Sequence, residues 1–287
     1  MLVIMNEIEK FAYIAGYFDG DACFYCRKET DKRDNRIYYR CGIQVTSTNP
    51  EIIQYLKDQF GGSFCQSNRH KTQINWKPEY CFHLQGKKAY KLAKNILPYL
   101  VEKKDEASII CKFIETTDKI EKDDLIIQMK NIKQNCNLIK REDGINIYNF
   151  RNSISAKNVD FIYLAGFIDA ECCLKITSNK TYLCCNNSKL PVFDWLMKRF
   201  GGNIYFIPRN EKHKKLRNQF QWYLSSQSLY PILLKIQDFL RFKKPVCKKL
   251  IEYQKTINRN TRTDTLRLAL RKSIIQEVHN LNLKGSS

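Results

Sequence analysis

No apolar run in the 287-residue sequence reaches the ~18 residues of a membrane-spanning helix, so no membrane partner is expected. Met1-Leu2-Val3-Ile4-Met5 is too short, and lacks the basic flanks, for the apolar region of a secretory signal. Histidine is scarce. The four, His70, His83, His213 and His279, are scattered, which argues against a nuclease centre built on histidine-held metal. Cysteine is plentiful at twelve, yet Cys23-Phe24-Tyr25-Cys26 has no second Cys-x-x-Cys and no nearby His to complete a zinc site. Cys172-Cys173 and Cys184-Cys185 are adjacent pairs, a poor geometry for chelation, and most cysteines fall on expected strands as small hydrophobes. Reduced thiols in a reducing compartment are therefore expected. Acid is also short: 29 Asp and Glu against 49 Lys and Arg leave a net charge of +20. That balance suits a polyanionic partner, nucleic acid before membrane. A hydrophobic content of 43% supports real cores, and the length suits two domains.

What is present is a repeat. Phe11-Ala12-Tyr13-Ile14-Ala15-Gly16-Tyr17-Phe18-Asp19-Gly20-Asp21 returns as Phe161-Ile162-Tyr163-Leu164-Ala165-Gly166-Phe167-Ile168-Asp169-Ala170-Glu171, 150 residues later. Each copy is apolar almost all round, the pattern of a buried helix. Ala15-Gly16 and Ala165-Gly166 leave almost no side chain in mid-helix, where Gly costs roughly 0.5–1 kcal/mol relative to Ala. Close approach of a second backbone would compensate, so these four residues are assigned to a helix–helix interface. A helix C-terminus favours Lys or Arg, yet both copies end in two acids. Were the helices paired, four carboxylates would converge. Such crowding calls for cations, and hard ions such as Mg²⁺ want carboxylate and water oxygens.

The repeat runs on past the helices. Gln44-Val45-Thr46-Ser47-Thr48-Asn49-Pro50 leads to Phe60-Gly61-Gly62, and Cys184-Cys185-Asn186-Asn187 leads to Phe200-Gly201-Gly202, now 140 residues apart. The second copy has therefore lost ten residues from its first hairpin, where the first copy has the charged stretch Lys28 to Arg36. Each half is expected to run αββαββα. A buried helix (about 8–20, 159–170) precedes two strands (22–30 with 37–46, 172–178 with 181–186). An amphipathic helix stopping at Gly-Gly follows (50–60, 190–200), then two more strands (63–67 with 80–85, 203–208 with 219–225). Closing helices span 87–97 and 103–117, then 228–240 and 244–257. The class is α+β, with two pseudo-symmetric halves of antiparallel sheet packed through their first helices. The first half is placed at 1–118, a polar linker, helical near 125–132, at 119–157, and the second half at 158–287. A final helix carries the period Leu266, Leu270, Ile274, Val278.

Strand parity separates a core face from a polar one. Phe24, Cys26, Cys41, Ile43 and Val45 face in. Tyr25, Arg27, Glu29, Tyr38, Arg40 and Gln44 face out, with Gln66 and Asn68 added from the third strand. In the second half Leu174, Ile176, Phe220, Trp222 and Leu224 face in. Lys175, Thr177, Asn179, Tyr182, Arg217, Gln219, Gln221 and Tyr223 face out. Such side chains read base edges in a major groove, which admits a β-ribbon. An ordinary half-solvated sheet also alternates, but would carry more Asp and Glu.

Ile14 to Ala22 and Leu164 to Cys172 resemble the signature of the LAGLIDADG homing endonucleases, in the single-chain form with two motifs. The first eight positions match; the ninth, usually Gly, is Ala22 or Cys172. The resemblance implies saddle-shaped sheets and a monomeric, site-specific endonuclease that makes a staggered double-strand cut with 3′ overhangs in a long DNA site. It gives the metal-binding role to the eighth-position acids, Asp21 and Glu171, with Gly20 and Ala170 beside them, and leaves Asp19 and Asp169 to close the helix ends. It implies Mg²⁺ as cofactor, with Ca²⁺ or Mn²⁺ as substitutes; divalent metals activate water and neutralise phosphate. It also implies a basic residue after a helix-ending Pro-x-Leu. Following Pro98-Tyr99-Leu100 this is Lys103, and the 140-residue offset gives Lys243. A polar residue after the second strand, Ser47 or Asn187, would organise water. The Lys-, Asn- and Ile-rich vocabulary suits an AT-rich organellar genome, chloroplast or mitochondrion, and an intracellular, intron-encoded product. The initial Met and the lack of a terminal His-Asn favour that over an intein. The alternatives are an RNA maturase of the same fold, with intron RNA as partner, and a non-catalytic DNA-binding regulator.

Overall fold

Asn49 opens the first amphipathic helix by accepting a hydrogen bond from the Glu51 backbone N–H at 2.9 Å, with Pro50 at the first helical position. This helix, α2 (Pro50–Phe60), buries Ile52, Ile53 and Leu56 and stops at Gly61, whose φ is +70°. Gly62 follows at φ +90°, and a Cβ there would lie 2.5 Å from the His83 carbonyl oxygen. The second Gly-Gly repeats this: Gly201 has φ +74°, and a Cβ on Gly202 would lie 2.6 Å from the Tyr223 carbonyl. So the first glycine turns the chain out of the helix and the second lets the next strand approach its neighbour.

The structure, a computed structural model, describes residues 5–67, 78–135, 147–149, 155–207, 219–257 and 265–285. The chain divides into two units, Phe18–Ile139, and Met1–Tyr17 with Lys140–Ser287, the boundary falling inside helix α1 (Glu7–Asp21). In the first unit, β1 (Ala22–Thr30), β2 (Ile37–Ser47), β3 (Ser63–Ser67) and β4 (Glu79–Gln85) form an antiparallel sheet in the order β1-β2-β4-β3. Helices α2, α3 (Gly86–Ile96), α4 (Lys104–Glu115) and α5 (Lys119–Asn135) accompany it. Phe24, Ile43, Val45, Phe82 and Leu84 line the core face, against Leu56, Leu92, Ile96, Ile110 and Phe113 from the helices.

Helix α5 corrects the sequence reading, which gave residues 119–157 to a linker. It packs on β1 and α4, buries Leu125, Ile126 and Met129, and sends the Lys133 ammonium to the Phe24 carbonyl. Residues 119–135 thus belong to the first unit's core.

The second unit holds α6 (Asn158–Glu171), β6 (Cys172–Thr177), β7 (Lys180–Asn187), α7 (Pro191–Phe200), β8 (Gly202–Ile207), β9 (Gln219–Ser225), α8 (Ser226–Ile236), α9 (Lys244–Lys255) and α10 (Thr265–Gly285). A short β5 (Ile147–Asn149), also from the expected linker, adds a fifth strand, in the order β5-β8-β9-β7-β6. Buried Trp222 satisfies its indole N–H on the Gly201 carbonyl at 2.9 Å, which ties β9 to the end of α7. Only half of the α10 stripe is buried: Ile274 and Val278 are covered, whereas Leu266 and Leu270 are exposed. No helix among the described residues is long and apolar enough to cross a membrane.

The thiols also depart from expectation. Cys172 and Cys185 stand directly opposite each other on β6 and β7, Cα–Cα 4.3 Å, and form a disulfide. Spacing in the sequence did not reveal that pairing, because strand register creates it. The nine other described cysteines are free.

Candidate active-site residues and nucleic-acid interface

Helices α1 and α6 touch backbone to backbone in the second unit. A Cβ on Gly16 would lie 1.9 Å from the Tyr163 carbonyl oxygen, and one on Gly166 would lie 1.9 Å from that of Tyr13. The contact is reciprocal, and Ala15 and Ala165 beside it are fully buried. The four small residues therefore do what their place in the sequence suggested.

The sixth-position acids are buried ties. The Asp19 carboxylate accepts from the backbone N–H groups of Val101 (2.7 Å), Glu102 (3.1 Å) and Lys103 (2.8 Å). Asp169 repeats this with Arg241 (2.8 Å) and Lys243 (2.7 Å), and accepts the Tyr13 hydroxyl at 2.7 Å. Burial pushes the Asp169 carboxyl above its ordinary range, while these donors pull it back down. Each acid thus satisfies backbone N–H groups of the turn leading into α4 or α9 and sits in favourable potential beside that helix start.

The lysines complete the same tie. The Lys103 ammonium donates to the carbonyls of Phe18 (2.9 Å) and Gly20 (3.0 Å). Lys243 donates to Ile168 (2.7 Å), Asp169 (3.1 Å) and Cys172 (2.7 Å). Neither motif helix has a basic residue in its own last turn. The cation that the helix end favours is delivered from the turn before α4 or α9. Asp21 and Glu171 are the last residues of α1 and α6, half-buried, each directly preceding the first strand of its half. Ser47 and Asn187 end β2 and β7. Their side-chain oxygens accept the backbone N–H two residues on, from Asn49 (3.1 Å) and Lys189 (3.0 Å), so both shape the entry to the next helix.

Register fixes the polar faces. Arg27 lies opposite Arg40 and Glu29 opposite Tyr38. Like charges directly opposed are unfavourable, and Glu29 relieves them by pairing with Arg27 (2.6 Å) and Arg40 (2.9 Å). The Arg27 guanidinium lies 4.9 Å from the Tyr25 ring centre, and Arg40 lies 6.0 Å from that of Tyr38. Tyr25 itself lies over Gly42, where a Cβ would meet its hydroxyl at 2.6 Å. Gln44 pairs with His83 of β4, a polar-face residue that parity within β1 and β2 did not bring forward.

In the second sheet Lys175 lies opposite Tyr182, and the Tyr182 and Tyr223 rings are 5.2 Å apart. Gln221 donates to Asn186 at 2.9 Å and lies opposite Tyr205. Tyr205 and Asn186 were missed, and the alternation of β9 applied to its neighbours would have found them. Gln219 and Thr177 keep the polar parity. Asn179 instead forms the two-residue turn between β6 and β7 with Ser178, both at positive φ. Gln66 is a correction: it pairs with Tyr80, next to the Phe64–Phe82 pair, and so belongs to the core-face parity of β3. Asn68 and Arg217 lie outside the described residues. Cys65, Cys81 and His83, which no spacing in the sequence groups, come together here, their ligand atoms all within 4.8 Å of one another.

Each of the two buried motif helices ends in an acid and leads directly into the first strand of its own sheet. Residues 14–104 match the family model described as LAGLIDADG endonuclease. Similar solved structures include I-SmaMI bound to uncleaved DNA target with calcium ions (14% identity, TM-score 0.61, 96% of this chain and 99% of that one). LAGLIDADG homing endonuclease I-GzeII in complex with its DNA target is similar too (14%, 0.62, 95% and 98%). So is I-SmaMI bound to cleaved DNA (13%, 0.59, 95% and 96%). At these identities the likeness is one of fold. No curated protein matches the chain.

Proposed function

We propose that the protein is a monomeric, site-specific DNA endonuclease that hydrolyses both strands of a duplex with the help of divalent cations, leaving a staggered cut with 3′ overhangs. The observation that carries this reading is the duplicated helix end. In each half an acid closes the motif helix, and a lysine from the turn before α4 or α9 donates to the carbonyls of that same end. Asp19, Asp169 and the two lysines tie each motif helix to the turn before α4 or α9, and the acid that ends the helix, Asp21 or Glu171, lies next to that tie in the chain.

The donors at each helix end suit a hard cation: the Asp21 carboxylate with the Gly20 carbonyl in one unit, and the Glu171 carboxylate with the Ala170 carbonyl in the other, supply only oxygen. Mg²⁺ is the natural choice, with Mn²⁺ or Ca²⁺ as possible substitutes. A bound divalent cation would supply charge neutralisation and acidify water. The chain's own residues would hold it and orient the phosphate. Lys103 and Lys243 carry positive charge at the helix ends and keep the local field from repelling a polyanion.

The polar faces would read the duplex. Arg27 and Arg40 are prepared for it, being laid on tyrosines and spaced by Glu29. Glu29 acts here by positioning the two arginines. Glu29→Gln is expected to leave stability within about 1 kcal/mol, since the three side chains are 37–50% exposed. It should raise affinity for random-sequence duplex several-fold at low salt, with the gain lost as salt rises. Fluorescence anisotropy at two salt concentrations checks this, and unchanged non-specific affinity would count against the Arg27–Glu29–Arg40 face as a DNA surface.

The reading as a whole is tested on plasmids carrying the gene that hosts this reading frame, with its intron removed. Double-strand cutting at one site with Mg²⁺, and none with a chelator, is expected. Binding of that gene's RNA with no cutting in any divalent cation would overturn it and favour the maturase alternative.

A further inference from the structure

The edge strand β3 carries Cys65 directly opposite Cys81 of β4, and His83 stands two residues further along β4 on the same side. The two sulfurs and an imidazole nitrogen all lie within 4.8 Å of one another. Among the described residues no other three His, Cys, Asp or Glu side chains meet in this way. Cys81 is only 9% exposed, His83 is half-buried and Cys65 is exposed, so the cluster is rooted in the sheet and open on one side. That side is the polar face, where His83 faces Gln44 of β2.

Two thiols and an imidazole form a soft donor set. Zinc takes it readily, and magnesium does not use sulfur. In a tetrahedral site with Zn–S of ~2.3 Å and Zn–N of ~2.0 Å, ligand atoms lie roughly 3.5–3.8 Å apart. Rotation of Cys65, on an edge strand, can supply the remaining contraction. The imidazole ligates in its neutral form, through one ring nitrogen. Thiols ligate as thiolates, so binding expels their protons to solvent and affinity falls as pH falls.

The other half of the molecule gives a control. Tyr205, Gln221 and Tyr223 stand where Cys65, Cys81 and His83 do, with Tyr205 opposite Gln221 and Asn203 opposite Tyr223. The fold therefore does not require thiols at these positions.

We propose that Cys65, Cys81 and His83 bind one Zn²⁺ ion, with the fourth position open to water, and that the ion fastens edge strand β3 to β4 on the polar face of the first sheet. The site shares no residue with the oxygen donors proposed above, Asp21 and Glu171, so it stands whether or not the endonuclease reading does.

Cobalt reports it directly. Titrating the full-length reduced protein with Co²⁺ should give a thiolate-to-cobalt charge-transfer band that saturates at one equivalent and disappears on adding Zn²⁺. Cys65→Ser and Cys81→Ser should each abolish the band or weaken binding by about a hundredfold or more, and His83→Ala by at least about tenfold. The double variant Cys23→Ser with Cys26→Ser should keep it. No band in the wild-type protein, or an undiminished band in Cys65→Ser, would overturn the proposal. Cys65 is exposed, so that variant remains folded and decides the matter even where Cys81→Ser does not fold.

Discussion

Gly16→Ala is expected to lower stability by about 3 kcal/mol or more, although alanine is the better helix former. Propensity alone would favour the change by roughly 0.5–1 kcal/mol. Against it stands a methyl carbon 1.9 Å from the Tyr163 carbonyl oxygen, an atom of a helix backbone that cannot turn aside. Relief requires α1 and α6 to separate, and that loosens the buried side chains along both helices, Phe18, Ile14 and Tyr17 on one and Leu164 and Phe167 on the other. Overpacking a rigid core typically costs about 1–3 kcal/mol, and here the shift acts on a whole helix pair. For a chain of this size each kcal/mol lowers the melting temperature by roughly 2–4 °C. Gly166→Ala should behave alike, since its Cβ meets the Tyr13 carbonyl at the same 1.9 Å. Thermal melting followed by circular dichroism measures the loss; a variant as stable as the parent would show that the two backbones do not touch.

The acids should separate into two kinds. Asp21→Asn combined with Glu171→Gln keeps size and shape and removes both charges from the helix ends. On the endonuclease reading it should abolish double-strand cleavage, by at least about a thousandfold, or about 4 kcal/mol of barrier. Target binding should change only a few-fold. Either single variant should still cut one strand, so that supercoiled plasmid accumulates as the nicked form. Gel electrophoresis of a single-site plasmid distinguishes the products. Cleavage at parental rate in the double variant would remove Asp21 and Glu171 from the chemistry.

Much of the scaffold was legible because it rests on local signals that occur twice. The Gly-Gly stops, Pro50 and Pro191 at helix starts and the alternation of β1 and β9 each have one physical meaning. Ala-Gly in an apolar helix announced a close crossing, and the reciprocal contacts at Gly16 and Gly166 are that crossing. What depends on which strand lies beside which was not legible. The order β1-β2-β4-β3 sets Cys65 against Cys81 and turns Gln66 toward the core side, and the register of β6 and β7 makes the Cys172–Cys185 bond. Helix α5 was hidden for another reason: its buried Leu125, Ile126 and Met129 are interspersed among charges that gave the segment the look of a linker. Position in the repeat singled out Lys103 and Lys243, but their bonds to the motif helix ends span more than 70 residues and leave no local trace.

The knot that Asp19 and Lys103 make with each other's segments has a consequence for changing what the molecule recognises. The described chain between residues 20 and 100, including the polar face of the first sheet, leaves from this knot and comes back to it. Asp169 and Lys243 pin the second excursion in the same way. On the endonuclease reading, side chains on either loop of chain can therefore be exchanged wholesale while the helix ends stay anchored, so new target preferences are best sought by shuffling each excursion as a single cassette.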